Sequence, residues 1–210
     1  QEAIRQMELA DDYPDVVVGC TGGGSNFAGL TFPFIGRKLR AEQDVRVVAV
    51  EPANCPSLTK GKYAYDFGDT GQMTPLVKMH TLGSSFVPPS SHAGGLRYHG
   101  MAPLVSQLVD LGQVEPTAYS QTECFDAGVT FAKAEGILPA PEANHAVKGA
   151  LVEAMRCKEE GESRAILFNL CGHGYFDMQA YMDYSSGKLA DHPYDESEVA
   201  MALAGLPSVA

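Results

Sequence analysis

The chain has 210 residues, of which 45% are hydrophobic and 20% charged, a composition typical of a globular protein and unlike that of a disordered one. The formal net charge of −11 argues against nucleic acid or an anionic membrane as the main partner. Five cysteines without a CxxC pair predict neither a disulfide framework nor a structural zinc site, and they favour a reducing, cytoplasmic compartment. No apolar stretch of the sequence is long enough to cross a membrane.

The first predicted element is a helix over residues 1–9, in which Ala3, Ile4 and Met7 share one face. The helix is amphipathic from its first residue, and no methionine precedes it. We therefore expect that upstream sequence is missing and that the chain is N-terminally truncated. The loop that contains Pro14 ends this helix.

A strand, a glycine-rich loop and a second helix follow. Val16–Val18 are β-branched and predict a buried strand, and the helix after the loop extends to about Arg40, with Pro33 as a candidate kink. Val45–Val50 is a second valine-rich strand. Strand, helix and strand in this order predict a right-handed βαβ unit. We therefore expect an α/β fold with an open, mostly parallel sheet and helices on both faces.

Beyond the second strand the regular pattern stops. From residue 53 to residue 101 glycine, proline, serine and threonine are frequent, which predicts a long irregular insertion of the kind that tends to be functional. After it we predict a helix at 102–111, a strand at 114–120, a helix capped by Thr122 and closed by Gly136, a long helix from Glu142 to Glu160, a strand at 164–170 and a short helix at 177–184. In this interpretation residues 1–184 form one α/β domain, and residues 185–210 form a C-terminal tail.

Gly22, Gly23, Gly24, Ser25 and Asn26 form a loop where the first strand passes into a helix. Glycines let the backbone approach a ligand, and free N–H groups at a helix N-terminus attract an anion, so we predict a phosphate site here. The loop lacks the lysine of a P-loop, and its glycine spacing is not that of a dinucleotide fingerprint. The alternative is a tight turn in which Ser25 or Asn26 caps the helix.

Other polar residues follow predicted strands at the same edge of the sheet, where ligands of open α/β folds bind. Glu51 ends the second strand, the turn Cys171–Gly174 follows the last one, and Glu142 opens the long helix. Structural alternatives exist, because Glu142 suits a helix N-terminus through the helix dipole and Cys171 suits a small buried thiol. No histidine spacing fits a metal site, so we expect no metal.

Four sequence motifs together carry a resemblance to one enzyme family. They are Gly-Gly-Gly-Ser-Asn at 22–26, Ala-Gly-Gly-Leu-Arg-Tyr at 93–98, Glu-Gly-Ile-Leu-Pro-Ala-Pro-Glu-Ala-Asn-His-Ala at 135–146, and Phe-Asn-Leu-Cys-Gly-His-Gly at 168–174. In this order they resemble tryptophan synthase β chains, enzymes of the fold type II pyridoxal-phosphate class, and the likeness extends to about Tyr184. Arg97 and His173 replace the aspartate and arginine of the commoner form, which points to the longer, second form of the β chain. Cys171 replaces a serine.

The resemblance implies the cofactor pyridoxal 5'-phosphate and the substrates L-serine and indole. The backbone of Gly22–Asn26, with the Ser25 hydroxyl, would hold the cofactor phosphate, and Cys171, followed by Gly172, would face the pyridine nitrogen. Glu142 would lie beside the ring, near its phenolic oxygen or the substrate, and Arg97 would lie in the substrate-facing loop, which makes both catalytic candidates. The implied reaction is β-replacement, in which indole takes the place of the serine hydroxyl to give L-tryptophan.

In this family the lysine that forms a Schiff base with the cofactor lies upstream of the glycine loop, and no lysine of this chain matches its motif. The resemblance thus predicts the C-terminal half of an enzyme, inactive by itself, which assembles as a homo-oligomer, a homodimer in the complete protein. Two alternatives stay open. One is a related fold type II enzyme, such as a serine/threonine dehydratase or a cysteine synthase, and the other is a non-catalytic phosphate-binding domain.

Overall fold

The computed structural model of the chain describes residues 1–209. Its elements are α1 (Glu2–Leu9), β1 (Val16–Cys20), α2 (Ser25–Leu39), β2 (Arg46–Pro52), β3 (Lys62–Phe67), β4 (Leu76–Thr81), a 3-10 turn (Gly94–Leu96), α3 (Pro103–Asp110), β5 (Glu115–Tyr119), α4 (Gln121–Glu135), α5 (Pro141–Glu160), β6 (Ile166–Phe168), α6 (Met178–Ser185) and α7 (Glu196–Ala204). The helices and strands predicted outside residues 53–101 and 185–210 all occur, with bounds that differ by a few residues.

Four strands form the central sheet, in the order β5-β2-β1-β6, and all neighbours are parallel. Val17 of β1 lies opposite Val47 of β2 on one side and opposite Leu167 of β6 on the other. Val16, Val17 and Val18 are completely buried, as expected for an inner strand of a parallel sheet. The sequence prediction of an open parallel sheet is confirmed.

Helices cover both faces of this sheet. On one face Val17 and Val47 pack with Phe27 and Phe34 of α2, together with side chains of α1 and α3. On the other face α5 approaches so closely that a Cβ added to Gly149 would lie 2.7 Å from side-chain atoms of both Val18 and Val50. The two-sided α/β architecture predicted from the valine-rich strands is therefore confirmed.

Residues 53–101 are more ordered than predicted. β3 and β4 pair antiparallel over six residues each, from Lys62 opposite Thr81 to Phe67 opposite Leu76. The buried Asp66 carboxylate accepts a hydrogen bond from the Thr81 hydroxyl at 2.7 Å. The interpretation of the whole stretch as irregular is wrong here, because a two-stranded sheet with a mixed polar and aromatic sequence lacks the alternation that marks a half-buried strand.

Residues 185–210 also contain a packed element where a tail was predicted. The α7 helix buries Val199 and Ala202 against Leu82, Phe86 and Cys55. The side chain of its N-cap residue accepts a hydrogen bond from the backbone N–H of the second residue of the helix, at 2.7 Å. The C-terminal segment thus covers one end of the hairpin region.

Two predicted helix starts are corrected. The N-cap of α2 is Gly24, with φ of 97°, so neither Ser25 nor Asn26 caps this helix. The N-cap of α4 is Ser120 and not Thr122, because Ser120 forms a capping box with Glu123. The α2 helix also continues as one element through Pro33.

Within residues 1–209, none of the helices is both long and apolar enough to cross a lipid bilayer. The same residues contain no group of three or more His, Cys, Asp or Glu side chains placed to share a metal ion. The cysteines are free thiols, and Cys171 is the exposed one among them.

Candidate functional site

A pocket lies at the C-terminal edge of the sheet, beyond the ends of β1 and β6. The glycine loop 22–26 forms one wall, and Gly95, Glu142, Cys20 and Cys171 contribute to the others. This position agrees with the general rule that open α/β sheets bind ligands outside the carboxyl ends of their strands. The structure therefore brings residues of all four sequence motifs together in one pocket.

The glycine loop presents a run of free backbone donors to this pocket. The N–H of Thr21 donates to the Val50 carbonyl at 2.8 Å, and the N–H of Ala28 donates to the Gly24 carbonyl at 2.8 Å. Between them, the N–H groups of residues 22–27 donate to no acceptor within residues 1–209. They lie at the positive end of the α2 dipole, which makes them a preformed site for an anion.

Two glycines of the loop are required by its geometry. A Cβ at Gly22 would lie 2.6 Å from the Cα of Leu96 and 2.7 Å from the carbonyl oxygen of Gly95, closer than any side chain can approach. Gly24 has φ of 97°, a conformation that residues with a Cβ rarely adopt. The loop is thus pressed against the 94–96 turn, and its donors are held on the pocket side.

Glu142 lies in the first turn of α5 and lines the pocket. Its Oε1 accepts a hydrogen bond from the backbone N–H of Gly95 at 2.9 Å, whereas its Oε2 accepts none from the residues that the structure describes. The N-cap of α5 is Ala140, no side chain caps this helix, and the first-turn position of Glu142 also suits the helix dipole. One oxygen fixes the side chain, and the other is available to a ligand.

Cys171 and Cys20 form a thiol pair in the lining of the pocket. Their Sγ atoms are 3.6 Å apart. A hydrogen bond with the Cys20 thiol lowers the pKa of Cys171 to about 7, against the opposing effect of burial. The same contact, together with burial, raises the pKa of Cys20. Sequence reasoning did not identify Cys20, although its place as the last residue of β1 could have marked it.

Asn26 links the glycine loop to the end of β6. Its Oδ1 accepts a hydrogen bond from Nδ2 of Asn169 at 2.7 Å. Ser25 is exposed, and its hydroxyl donates to no acceptor within residues 1–209. The loop is therefore anchored at one residue and keeps a further donor free at its neighbour.

Three residues expected near the site lie outside the pocket lining. Glu51 is buried, and its carboxyl accepts hydrogen bonds from the backbone N–H groups of Leu58 and Thr59, each at 2.8 Å. Burial raises the pKa of Glu51 to about 7. Arg97 directs its guanidinium to the Pro88 carbonyl.

The third of these residues is Gly172. Its carbonyl accepts a hydrogen bond from the N–H of Ala140 at 2.9 Å. This contact fixes the turn that carries Cys171 and leaves Gly172 behind the pocket wall. Arg97 and Gly172 each follow a pocket residue directly, so adjacency in sequence does not by itself bring a residue into the pocket lining.

The donor set fits the phosphate of a phosphorylated cofactor. A phosphate offers several acceptor oxygens and a negative charge, and the pocket offers consecutive N–H groups at a helix N-terminus. Glu142 and Cys171 add polar groups beside it. No lysine is among the described residues that line the pocket.

The chain is similar to curated proteins over about nine tenths of its length. It is 60% identical over 193 residues to the tryptophan synthase beta chain 2 of Aquifex aeolicus, covering 90% of this chain and 44% of that protein. It is 54% identical over 195 residues to the tryptophan synthase beta chain of Thermococcus onnurineus, covering 93% of this chain and 44% of that protein. The chain thus spans less than half the length of these relatives.

Solved structures with the same fold include a fungal L-serine ammonia-lyase from Rhizomucor miehei, with a TM-score of 0.57 at 19% identity over 88% of this chain and 53% of that one. The threonine deaminase of T.th. gives a TM-score of 0.59 at 17% identity, over 82% of this chain and 53% of that one. At these identities the likeness shows the fold alone.

Residues 1–172 match the model of the family described as "Pyridoxal-phosphate dependent enzyme". These residues include the glycine loop, Glu142 and Cys171, so the matched region contains the whole pocket. Pyridoxal phosphate is the cofactor that this match implies, in agreement with the free donors of the loop. The chain belongs to the pyridoxal-phosphate dependent enzyme family.

Proposed function

We propose that the chain forms the phosphate-binding and ring-facing part of a pyridoxal-phosphate enzyme of the tryptophan synthase β type. The observation that carries the proposal is the run of free N–H groups from Gly22 to Phe27, which open into one pocket with Glu142 and Cys171. The identity of 60% to a tryptophan synthase beta chain supports the type of reaction. That reaction is β-replacement, in which indole takes the place of the L-serine hydroxyl to give L-tryptophan.

The glycine loop binds the cofactor phosphate and thereby orients the cofactor. The N–H groups of Gly22–Asn26 donate hydrogen bonds to the phosphate oxygens, and the Ser25 hydroxyl adds another donor. Because the loop is rigidly packed against the 94–96 turn, a phosphate bound here fixes where the rest of the ligand lies. Cys171 offers a thiol from the pocket lining to the ring, and Gly172 holds the turn that carries Cys171.

We propose that Glu142 binds or transfers a proton. Gly95 fixes its Oε1, so its free Oε2 can hold or transfer a proton at a polar atom of the ligand. Bound pyridoxal phosphate supplies an electron sink for negative charge that develops on the amino acid substrate. Arg97 belongs to the same substrate-facing loop as Gly95, and we propose that it acts on the substrate after this loop rearranges.

The chain by itself does not turn over serine and indole in this proposal. The chemistry needs a lysine amine, and none of the described pocket residues is a lysine. We propose that a segment outside these 210 residues supplies it. The exposed side chains of Tyr175 and Phe176 next to the Cys171 turn favour assembly with another copy as a homo-oligomer. The free thiols favour a reducing cytoplasm.

A ligand titration of the chain tests the phosphate site. We expect pyridoxal 5'-phosphate to raise the melting temperature saturably, and we expect pyridoxal, which lacks the phosphate, to bind at least about tenfold more weakly. Gly22→Val abolishes binding because its side chain collides with the 95–96 backbone. Gly94→Ala is the matched control, since a Cβ there meets no atom within 4 Å.

Two outcomes would contradict the proposal. Equal affinity for the phosphorylated and unphosphorylated ligands would show that the glycine loop is not the phosphate site. A borohydride-fixed adduct at one lysine of the chain would show that the lysine is present after all. A product assay on the complete enzyme decides the reaction, because pyruvate or cysteine in place of tryptophan would favour a related dehydratase or cysteine synthase.

A further inference from the structure

The thiols of Cys20 and Cys171 lie close together at the edge of the sheet. Cys20 is the last residue of β1, and Cys171 follows β6, which pairs with β1 in parallel. The pairing of β1 with β6 ends at Val18 and Phe168, just before the two cysteines, and the two Sγ atoms are 3.6 Å apart. A disulfide bond is about 2.0 Å long, so only a small side-chain movement separates this contact from a covalent link.

The two thiols differ in access and in acidity. Cys171 is exposed and lines the pocket, whereas Cys20 is only 3% exposed. The hydrogen bond with Cys20 lowers the pKa of Cys171, while burial and the nearby carboxylate of Glu142 act in the opposite direction. Cys171 is therefore the thiol that a dissolved reagent reaches as a thiolate, and Cys20 is the protonated partner behind it.

The other cysteines lack this combination. Cys55 is buried, donates its thiol hydrogen to the Tyr98 carbonyl at 3.2 Å, and has a pKa that burial raises to about 12. Burial also raises the pKa of Cys124. Cys157 is buried in α5. Within residues 1–209, the exposed thiol with a second thiol in contact is Cys171.

We propose that Cys20 and Cys171 form a modification site that hydroperoxides oxidise to an intramolecular disulfide. The Cys171 thiolate attacks the peroxide oxygen, the O–O bond breaks, and the products are a sulfenic acid on Cys171 and, for hydrogen peroxide, one water. The Cys20 sulfur then attacks the Cys171 sulfur and expels the sulfenic oxygen, which leaves as a second water with the Cys20 proton. Two thiols lose two electrons, the peroxide gains them, and a dithiol reductant reverses the change.

The modification changes the pocket. Closing the bond draws Cys171 toward Cys20 and removes the free thiol of Cys171 from the pocket lining. It also ties the end of β1, which carries the glycine loop, to the turn after β6. Disulfide formation depends on these two thiols alone. It can therefore be measured by thiol chemistry whether or not the chain belongs to an enzyme that catalyses β-replacement.

The test treats the fully reduced 210-residue chain with a small excess of hydrogen peroxide. The remaining thiols are blocked with a maleimide, and the disulfides are mapped by mass spectrometry without reduction. We expect loss of two thiols per chain and one disulfide that joins the peptides of Cys20 and Cys171, with full recovery in dithiothreitol. A disulfide between two chains, a disulfide that includes Cys55, Cys124 or Cys157, or no loss of thiol would overturn the proposal.

Three variants assign the roles of the thiols. Cys171→Ser should slow peroxide consumption at least about tenfold and prevent the disulfide. Cys20→Ser should leave a sulfenic acid on Cys171, which a 1,3-diketone reagent traps. Cys55→Ser is the matched control, because its hydroxyl keeps the donor to Tyr98 and disulfide formation should be unchanged. The wild-type map decides the proposal even where a variant does not fold, and a Cys171 sulfinic acid beside a reduced Cys20 would also contradict it.

Discussion

The neighbouring strands β1 and β2 are each followed by a segment with backbone N–H donors. The donors after β2 have an acceptor in the protein, whereas those after β1 have none among the described residues. After β2, the Glu51 carboxyl accepts the N–H groups of Leu58 and Thr59 and the Thr59 hydroxyl, at 2.7 to 2.8 Å. After β1, the donors of residues 22–27 find no acceptor within residues 1–209. One turn is closed by a side chain of the protein, and the other is left open to a ligand.

At the same edge of the sheet, the turn after β2 is thus stabilised by the protein itself, whereas the loop after β1 is available for binding. Glu51 is fixed by its covalent position in β2, so the turn that follows is ordered without any ligand. The glycine loop has no acid in the first turn of α2 and no side-chain cap. Uncompensated backbone donors cost stability in the free protein, and a bound anion restores it.

The largest effect is expected from removing the acceptor of the closed turn. Glu51→Ala leaves buried donors of Leu58 and Thr59 without partners, and we expect a loss of about 3–5 kcal/mol in the free energy of unfolding. Chemical denaturation measures it. Thr59→Val is the control, because it removes one hydroxyl donor and keeps the N–H bond, at a cost of about 1 kcal/mol. Equal losses in the two variants would contradict this view of the closed turn.

The closed turn should also respond to pH. The pKa of Glu51 is about 7 in the folded chain, above its ordinary value of 4.5, so the folded state holds a proton that the unfolded state releases between these values. Its contribution to stability is complete below about pH 4.5, declines as pH rises to 7, and is then constant, with a total of about 3 kcal/mol. Unfolding free energies across this range should decline less steeply in Glu51→Gln. An unchanged slope would argue against Glu51 as the titrating group.

The open turn can be closed by a side chain. Ser25→Asp places a carboxylate beside the free donors of α2, where it competes with a phosphate and repels it. We expect the affinity for pyridoxal phosphate to fall about a hundredfold, or roughly 2.7 kcal/mol, while the free chain gains up to about 1 kcal/mol in unfolding free energy. Ser120→Asp is the matched control, since aspartate also caps α4 well and lies outside the pocket. Retained affinity in Ser25→Asp would contradict the open-turn interpretation.

The smallest effect is expected at the N-terminus of α4, where side chains already form hydrogen bonds with the backbone N–H groups. Ser120→Ala removes the capping box that Ser120 and Glu123 form at α4. We expect a loss of about 1 kcal/mol in unfolding free energy and no change in cofactor affinity. Thermal unfolding and the ligand titration measure the two quantities. A reduced affinity would mean that the two helix starts are coupled.

Local patterns explain which parts of the fold were predicted. The valines of β1 and β2, the glycine that closes α4 and the glycine loop each carry a signal within a few residues of sequence. The β3–β4 hairpin carries no such signal, because Asp66 is buried through its bond to Thr81 on the opposite strand. Pairings of this kind depend on a partner that sequence reading does not identify.

In the site, too, some residues carry a local sequence signal, and others depend on distant parts of the chain. Glu142 and the glycine loop reach the pocket because they begin helices at the edge of the sheet. Glu51 occupies the same edge, yet the chain turns back over it at Leu58 and Thr59 and closes it off. Cys20 enters the pocket lining as the last residue of β1, where it lies opposite Val50 of β2. An open, mostly parallel sheet could be predicted from the sequence, but the spatial order of its strands and the path of each loop after its strand could not.

The helix α7 sets an order of events during synthesis. Val199 and Ala202 cover Leu82 and Phe86, which precede them by roughly 120 residues. On the ribosome the hairpin region emerges before α7, with these apolar side chains uncovered, and its small core closes only when α7 has been made. During translation, Leu82 and Phe86 are therefore exposed surface that a chaperone can hold until α7 arrives.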